Sequence, residues 1–109
     1  MKIDWSELND AQINIMVCKA RGLELSGYAR VIKYDDHTIL LADNVTLVDF
    51  CNSWADAGSI IEENKIWIRN LYGTWQVRGF PTHNPNNVIT HSSPSVLRAA
   101  MIVYLEMCK

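Results

Sequence analysis

The closing segment of the chain carries its widest apolar surface. Residues 93–109 read Ser-Pro-Ser-Val-Leu-Arg-Ala-Ala-Met-Ile-Val-Tyr-Leu-Glu-Met-Cys-Lys. At about 100° per residue the apolar positions cover roughly 240° of a helix, which is far wider than the apolar stripe of an ordinary surface helix. Ser93 is typical of an N-cap and Pro94 of a first helical position. The pattern predicts a helix that starts there and forms the centre of the core.

Capping signals predict two further helices. Asn9 followed by Gln12 is typical of a capping box, and Gly22 is placed to end this first helix near Arg21. The predicted core face of that helix consists of Ile13, Met16, Val17 and Ala20. Around the middle of the chain, Ser53 and Asp56 form a second capping box, and Asn64 is suited to the left-handed position after the helix.

Short strands are predicted between the helices. The β-like runs occupy residues 28–33, 38–41, 45–50, 65–69 and 74–78. The first two predict one hairpin and the last two predict another, in which Trp67 alternates onto the polar face with Lys65 and Arg69. Residues 80–93 predict a long irregular loop. The expected fold is α+β, with a small antiparallel sheet of four to five strands packed with three helices, the C-terminal helix central, in one domain over residues 1–109.

The composition is that of a globular domain with its own core. The chain has 109 residues, of which 49% are hydrophobic and 20% charged, and no apolar run is long enough to cross a bilayer. The first residues lack the apolar segment of a secretory signal, so we expect a cytoplasmic protein with no membrane partner. Three cysteines without metal-ligand spacing predict free thiols, and Cys51, beside a predicted loop, is the one whose reactivity is worth a test.

Charge is unevenly distributed along the chain. The net charge of −2 argues against bulk nucleic-acid binding. Residues 1–63 carry eleven acids and five bases, whereas residues 64–109 carry one acid and five bases, which gives net charges of −6 and +4. Either the two halves pair across one compact domain, or the second half builds a local anion site.

Two segments resemble a known family. Residues 51–64 read Cys-Asn-Ser-Trp-Ala-Asp-Ala-Gly-Ser-Ile-Ile-Glu-Glu-Asn, and residues 94–105 read Pro-Ser-Val-Leu-Arg-Ala-Ala-Met-Ile-Val-Tyr-Leu. Together with the opening Met-Lys-Ile-Asp-Trp-Ser-Glu-Leu, they are similar to the NinX family of small lambdoid-phage proteins. The resemblance implies a phage accessory protein made in an infected bacterium and dispensable for building the virion, with no established enzymatic role.

No motif predicts catalysis, a cofactor or a metal. The chain has no P-loop, no G-x-G-x-x-G, no G-x-S-x-G and no H-E-x-x-H. Cys51 with His83 or His91 would be an unspecific nucleophile and base pair. Those two histidines and His37 are scattered, and no two of them share an i, i+4 helical face, so they do not predict a metal site. We therefore expect a protein that is not an enzyme.

Seven residues are the candidates for ligand binding. They are Asn52, Trp54, Asp56, Trp67, Arg69, Trp75 and Arg98. Ordinary capping and core packing explain many of them, and Arg98 has Glu62 or Asp56 as a candidate carboxylate partner. The functional interpretation is that a helix N-terminus, indole rings and guanidinium groups bind an anion that carries a ring.

Two functions from different classes remain open. The first is a non-enzymatic accessory protein that binds and sequesters a small anionic, nucleotide-type host molecule, in a counter-defence or host-modulating role. The second is an interaction module that docks on a host protein or forms a homo-oligomer without a small ligand. Ile102, in the middle of the polar strip of the last predicted helix, is the feature that favours the second.

Overall fold

The computed structural model describes residues 3–27, 37–84 and 86–109. Its elements are a 3-10 turn at Trp5–Glu7, α1 (Asp10–Ala20), β1 (Ile39–Leu40), β2 (Leu47–Val48), α2 (Trp54–Glu63), β3 (Trp67–Leu71), β4 (Thr74–Gly79), β5 (Ile89–Ser93) and α3 (Val96–Met107). The α+β class is confirmed. Within the described ranges the strands form two antiparallel sheets, β1-β2 and β3-β4-β5, instead of the single sheet expected from the sequence.

Helix α1 begins and ends as its capping signals predict. Asn9 Oδ1 accepts a hydrogen bond from Gln12 N, and Gln12 Oε1 accepts one from Asn9 N, both at 2.8 Å. Gly22 ends the helix with a φ of 72°. The predicted core face is only partly right, because Ala20 is exposed and Met16 half-buried. The buried residues are Ala11, Ile13, Asn14, Val17 and Cys18.

Helix α2 ends one residue differently from the prediction. Asn64 has a φ of −96°, and Lys65 takes the left-handed position with a φ of 52°. Lys65 N donates to Glu62 O, and Ile66 N donates to Ile61 O at 3.0 Å, which is the Schellman pattern. The extra residue lets Ile66 enter the core, and this burial outweighs the preference for Asn in the left-handed position.

The three-stranded sheet includes a strand that the pattern missed. Residues 80–93 were expected to be irregular, but β5 pairs antiparallel with β4, and Val77 lies opposite His91. A strand with one strongly apolar residue has little alternation to detect, so the pairing with β4 decides its structure. The first predicted hairpin is also revised. Residues 38–41 contribute β1, which pairs with β2, and residues 28–33 lie outside the described ranges.

Helix α3 is buried along most of its length. It begins at Val96 instead of Pro94, with Ser95 as N-cap instead of Ser93, because Ser93 is the last residue of β5. The buried residues are Leu97, Ala99, Ala100, Met101, Ile102, Val103, Tyr104 and Leu105. The helix contacts α1, α2, β4 and β5. Ile102 is only 2% exposed, so its assignment to a polar surface strip is wrong.

Gly79 of β4 sets the close approach of the sheet to α3. A Cβ atom built on this residue would lie 2.4 Å from Met107 Sδ and 2.6 Å from Val103 Cγ1. Only glycine fits at this distance without a shift of the helix side chains. One face of the sheet therefore packs directly on α3, and the strands carry their alternate residues on the opposite face.

A candidate ligand-binding depression

Three of the predicted site residues surround one shallow depression of about 270 Å³. The lining residues are Cys51, Asn52, Trp54, Trp75, Pro94, Ser95, Val96 and Leu97. They come from the start of α2, the start of α3 and strand β4. The packing of α2 and β4 against α3 brings these parts of the chain to one place. The structure thus unites Asn52, Trp54 and Trp75, which are far apart in the sequence.

The N-terminus of α3 has no side-chain cap. Ser95 is the N-cap, but its side chain makes no capping hydrogen bond. Its backbone N–H donates to Ser93 Oγ at 3.1 Å. The first-turn N–H groups of a helix have no partner within the helix, and together with the helix dipole they attract an anion. Pro94, which has no N–H, lines the same depression.

The N-terminus of α2 is capped, although not in the predicted way. Ser53 Oγ accepts a hydrogen bond from Asp56 N at 3.3 Å, as expected. The reciprocal bond is absent, because Asp56 Oδ2 accepts from Asp49 N at 2.9 Å. Asp56 therefore stabilises the turn before the helix. It lines a different depression, which also contains Arg21 and Phe50.

Two indole rings border the depression. Trp54, in the first turn of α2, is 57% exposed, and Trp75 is half-buried and lies opposite Ser93 in the sheet register. Among the described residues, neither indole N–H has a hydrogen-bond acceptor, whereas Trp5 Nε1 donates to Glu106 Oε1 at 2.8 Å. The two rings offer apolar faces and two available donors to a ring-bearing ligand.

A buried polar network holds the turn before α2 in place. Asn14 of α1 is fully buried; its Nδ2 donates to Asp49 Oδ1 at 2.9 Å, and its Oδ1 accepts from Cys51 N at 3.0 Å. The ring of His37 lies against the same carboxylate, with Nδ1 2.7 Å from Asp49 Oδ2. Asn14 was not predicted, and its signal was a single amide inside an otherwise apolar part of α1.

Asn52 and Arg98 are connected through one carboxylate. Asn52 Nδ2 lies 3.1 Å from Asp10 Oδ2, and Arg98 Nη1 donates to Asp10 Oδ1 at 2.7 Å. Arg98 also donates to the carbonyl oxygens of Trp5, at 2.9 Å, and of Leu8. The expectation that Glu62 or Asp56 would be the carboxylate partner of Arg98 is therefore wrong. The guanidinium of Arg98 ties α3 to the segment before α1, and its bonded donors are not available to a ligand.

The last two predicted residues lie on the other face of the sheet. The guanidinium carbon of Arg69 lies 5.3 Å from the centre of the Trp67 ring, and that of Arg78 lies 5.1 Å from it. Arg78 was missed by the choice of site residues. Its signal was the two-residue turn at Tyr72-Gly73, which places Arg78 directly opposite Trp67.

The Cys51 thiol at the edge of the depression is not set up for reactivity. The residue is 1% exposed, and burial, followed by the nearby Asp10 carboxylate, raises the pKa of its thiol well above the usual range. Cys51 therefore has neither feature of a reactive thiol, which are a lowered pKa and some exposure.

Among residues 3–27, 37–84 and 86–109, no group of three or more histidine, cysteine or acidic side chains is arranged to hold a metal ion. No helix within these ranges has the length and apolarity needed to span a membrane.

Comparison with known proteins identifies a family that matches nearly the whole chain. A family model described as Bacteriophage P22, NinX matches residues 4–108. The matched region contains both segments, 51–64 and 94–105, on which the sequence resemblance rests. Neither the curated proteins nor the solved structures contain a match to the chain.

Proposed function

Because the chain belongs to the bacteriophage P22 NinX family, which indicates a phage accessory protein, we propose that it binds and sequesters a small anionic, nucleotide-type host molecule. It acts in the cytoplasm of the infected bacterium, in a counter-defence or host-modulating role, and without catalysis. The observation that carries the proposal is the depression where the uncapped start of α3 faces Trp54 and Trp75.

The chemistry of the depression matches the two parts of a nucleotide. The N–H groups and dipole at the start of α3 suit a phosphate, and the indole rings suit a base. The volume of about 270 Å³ is just below the range of about 300 to 1,000 Å³ that is usual for small-molecule sites, so the ligand is of the size of a mononucleotide and is partly exposed when bound. Between residues 64 and 105 the sequence has no acid, so β4 and the N-terminal turns of α3 bring no carboxylate to repel the phosphate.

The network behind the depression supports binding without rearrangement. Asn14, Asp49 and Asn52 fix the turn that leads into α2, so Trp54 starts from a defined position. A preorganised site loses less conformational freedom when the ligand binds, which raises affinity. This rigidity suits a protein that sequesters its ligand.

Removal of one indole ring tests the base contact. Calorimetric titration with a panel of nucleoside monophosphates, diphosphates and cyclic nucleotides is expected to identify a ligand. Trp54→Ala is expected to weaken its binding roughly 5- to 150-fold, since stacking of a base on an aromatic ring contributes about 1 to 3 kcal/mol. Phe80→Ala removes an exposed aromatic ring outside the depression and is the matched control. Equal loss in both variants, or no ligand in the panel, would contradict the proposal.

Adding a carboxylate at the start of α3 tests the phosphate contact. Ser95→Asp supplies the missing cap and is expected to stabilise the protein by about 0.5 to 1 kcal/mol. The same carboxylate occupies and repels the phosphate position, so ligand binding is expected to be lost while stability rises. Ser59→Asp, on the exposed side of α2, controls for the added charge. Unchanged affinity in the Ser95 variant would remove the phosphate from this position.

The interaction module stays the alternative prediction. The feature that favoured it, Ile102, is buried, so the surface of α3 no longer supports docking through that residue. Affinity purification from infected cells distinguishes the two functions. A stoichiometric host protein bound to the Trp54→Ala variant as well as to the natural chain would favour the alternative.

A further inference from the structure

The solvent-facing side of the three-stranded sheet carries a second recognition surface, separate from the depression. We call it the outer face, and it consists of Trp67, Arg69, Gln76, Arg78, Thr90 and Ser92. In register, Trp67 lies opposite Arg78, which lies opposite Thr90, and Arg69 lies opposite Gln76, which lies opposite Ser92. Residues that alternate with them, such as Val77 and Gly79, are buried on the side of α3. The two rows therefore share one face of the sheet.

Two positive charges converge on one aromatic ring at this face. The guanidinium carbons of Arg69 and Arg78 both lie within 5.3 Å of the centre of the Trp67 ring, and the ring is still 43% exposed. Arg69 Nε donates to Gln76 Oε1 at 2.8 Å. Cation–π contact partly compensates the repulsion between two like charges, and an anion would compensate it further.

No acid neutralises these two arginines within the described ranges. Neither guanidinium is within ion-pair distance of a described carboxylate, and the buried Nε of Arg78 has no acceptor there. Arginine presents several donors in a planar arrangement that matches phosphate oxygens. Unlike Arg98, whose donors are bonded to Asp10 and two carbonyl groups, Arg78 has no described acceptor, so the N–H groups of its guanidinium other than the buried Nε are free to bind a ligand.

We propose that the outer face binds single-stranded nucleic acid, with one base stacked on Trp67 and the flanking phosphates on Arg69 and Arg78. An exposed indole with stacked guanidinium groups favours a polymer of rings and phosphates over an acidic peptide, which would match the charge alone. Polar side chains from β4 and β5 supply hydrogen bonds to base edges. Three strands are about 10 Å wide, which holds about two or three nucleotides.

The small size of this surface agrees with the charge of the whole chain. A net charge of −2 opposes long-range attraction of nucleic acid, so binding depends on the local contacts. Two phosphate contacts predict a weak salt dependence, with a slope of log K against log salt of about −1.4 for a single strand.

Fluorescence anisotropy with a labelled deoxythymidine strand of about 12 nucleotides tests the proposal, at low salt and over a salt series. Trp67→Ala is expected to weaken binding roughly 5- to 150-fold. Arg69→Ala and Arg78→Ala are each expected to reduce the slope by about 0.7. Phe80→Ala and Lys19→Ala are the matched controls. They remove an exposed aromatic ring and an exposed positive charge outside the outer face and are expected to leave affinity unchanged.

Further variants and probes keep the test decisive if a truncated side chain disturbs the sheet. Trp67→Phe retains an aromatic ring and is expected to lower affinity. Arg78→Lys retains the positive charge and is expected to lower affinity without changing the salt slope. A labelled polyglutamate peptide of equal charge is expected to bind at least tenfold more weakly. Equal affinity for that peptide, no binding of the strand, or loss of affinity in the controls as large as in the outer-face variants would each overturn the proposal.

Discussion

The two sides of the three-stranded sheet have opposite roles although they are made by the same residues in alternation. On the inner side, Gly79 lies so close to α3 that no Cβ fits, and Val77 is fully buried. On the outer side, Trp67 is 43% exposed, and the guanidinium carbons of Arg69 and Arg78 lie 5.3 and 5.1 Å from the centre of its ring. The difference shows that packing determines the inner positions, whereas the outer positions are available for recognition.

The arginines of the chain show the same contrast. The side chain of Arg98, on α3, is partly buried, and Asp10 and two carbonyl groups accept its hydrogen bonds. Arg78, on the outer face, has no carboxylate partner among the described residues and keeps a buried Nε without an acceptor. One arginine stabilises the fold, and we propose that the other contributes to binding.

The largest expected effect comes from Arg98→Ala. The change leaves the Asp10 carboxylate and the carbonyls of Trp5 and Leu8 without their donor in a partly buried place. We expect a loss of about 2 to 3 kcal/mol in the free energy of unfolding, measured by urea denaturation. Arg69→Ala, on the outer face, is expected to change stability by less than about 0.5 kcal/mol. A similar loss of unfolding free energy in the two variants would contradict the contrast between Arg98, which stabilises the fold, and an arginine of the outer face, which does not.

Gly79→Ala is expected to have the next largest effect. The added Cβ would meet Val103 and Met107 of α3, and Val103 in particular is rigid, so the free energy of unfolding is expected to fall by about 2 kcal/mol. Gly58, inside α2, has nothing within 4 Å of a built Cβ. Gly58→Ala is the matched control and is expected to stabilise the protein by about 0.5 to 1 kcal/mol. Urea denaturation of both variants measures the difference, and a loss in both would contradict the interpretation.

Tyr72→Asn tests the turn between β3 and β4, which fixes the register of the residue pairs on the outer face. Tyr72 and Gly73 connect β3 and β4 with φ values of 54° and 82°, which a type I′ turn requires at both positions. Asn adopts this conformation more readily than Tyr, and Tyr72 is 99% exposed, so no packing is lost. We expect a gain of about 0.5 to 1 kcal/mol in a thermal or urea unfolding measurement. Tyr72→Phe should show no gain, and a loss with Asn would contradict the turn assignment.

Local signals predicted those parts of the fold that nearest neighbours decide. The capping box of Asn9 and Gln12 is a matter of four residues, so the start of α1 was predicted to the residue. The hairpin of β3 and β4 was predicted from alternation and a glycine turn, although β3 occupies Trp67–Leu71 instead of residues 65–69. By contrast, β5 and the later start of α3 depend on pairing with β4, which a local pattern does not contain.

The site was harder to predict because it depends on packing over long distances in sequence. Asn52 and Trp54 meet Trp75 only because α2 and β4 both pack beside the start of α3. Alternation placed Trp67 and Arg69 on one polar face. That this face lies away from Trp75 could not be predicted without knowing which side of the sheet packs on α3. The carboxylate partner of Arg98 is 88 residues away, and no spacing rule identifies Asp10.

The smallest expected effect is the response of the inner side to pH. His91 lies on the edge strand β5 near Arg98 and Glu106; burial, followed by the charge of Arg98, lowers the pKa of its imidazole below the usual 6.5. The unfolded chain therefore takes up a proton near pH 6.5 that the folded chain resists, so stability falls as the pH drops from about 6.5 to the lowered pKa and then levels off. Urea denaturation at about pH 7.5 and about pH 5 should show a larger loss for the natural chain than for His91→Gln, because the amide does not titrate. His83→Gln, at an exposed histidine, should behave like the natural chain. If the free energy of unfolding fell equally in the natural chain and in His91→Gln, the imidazole would be hydrated on the inner side of the sheet. That result would weaken the distinction between a packed inner side and an open outer side.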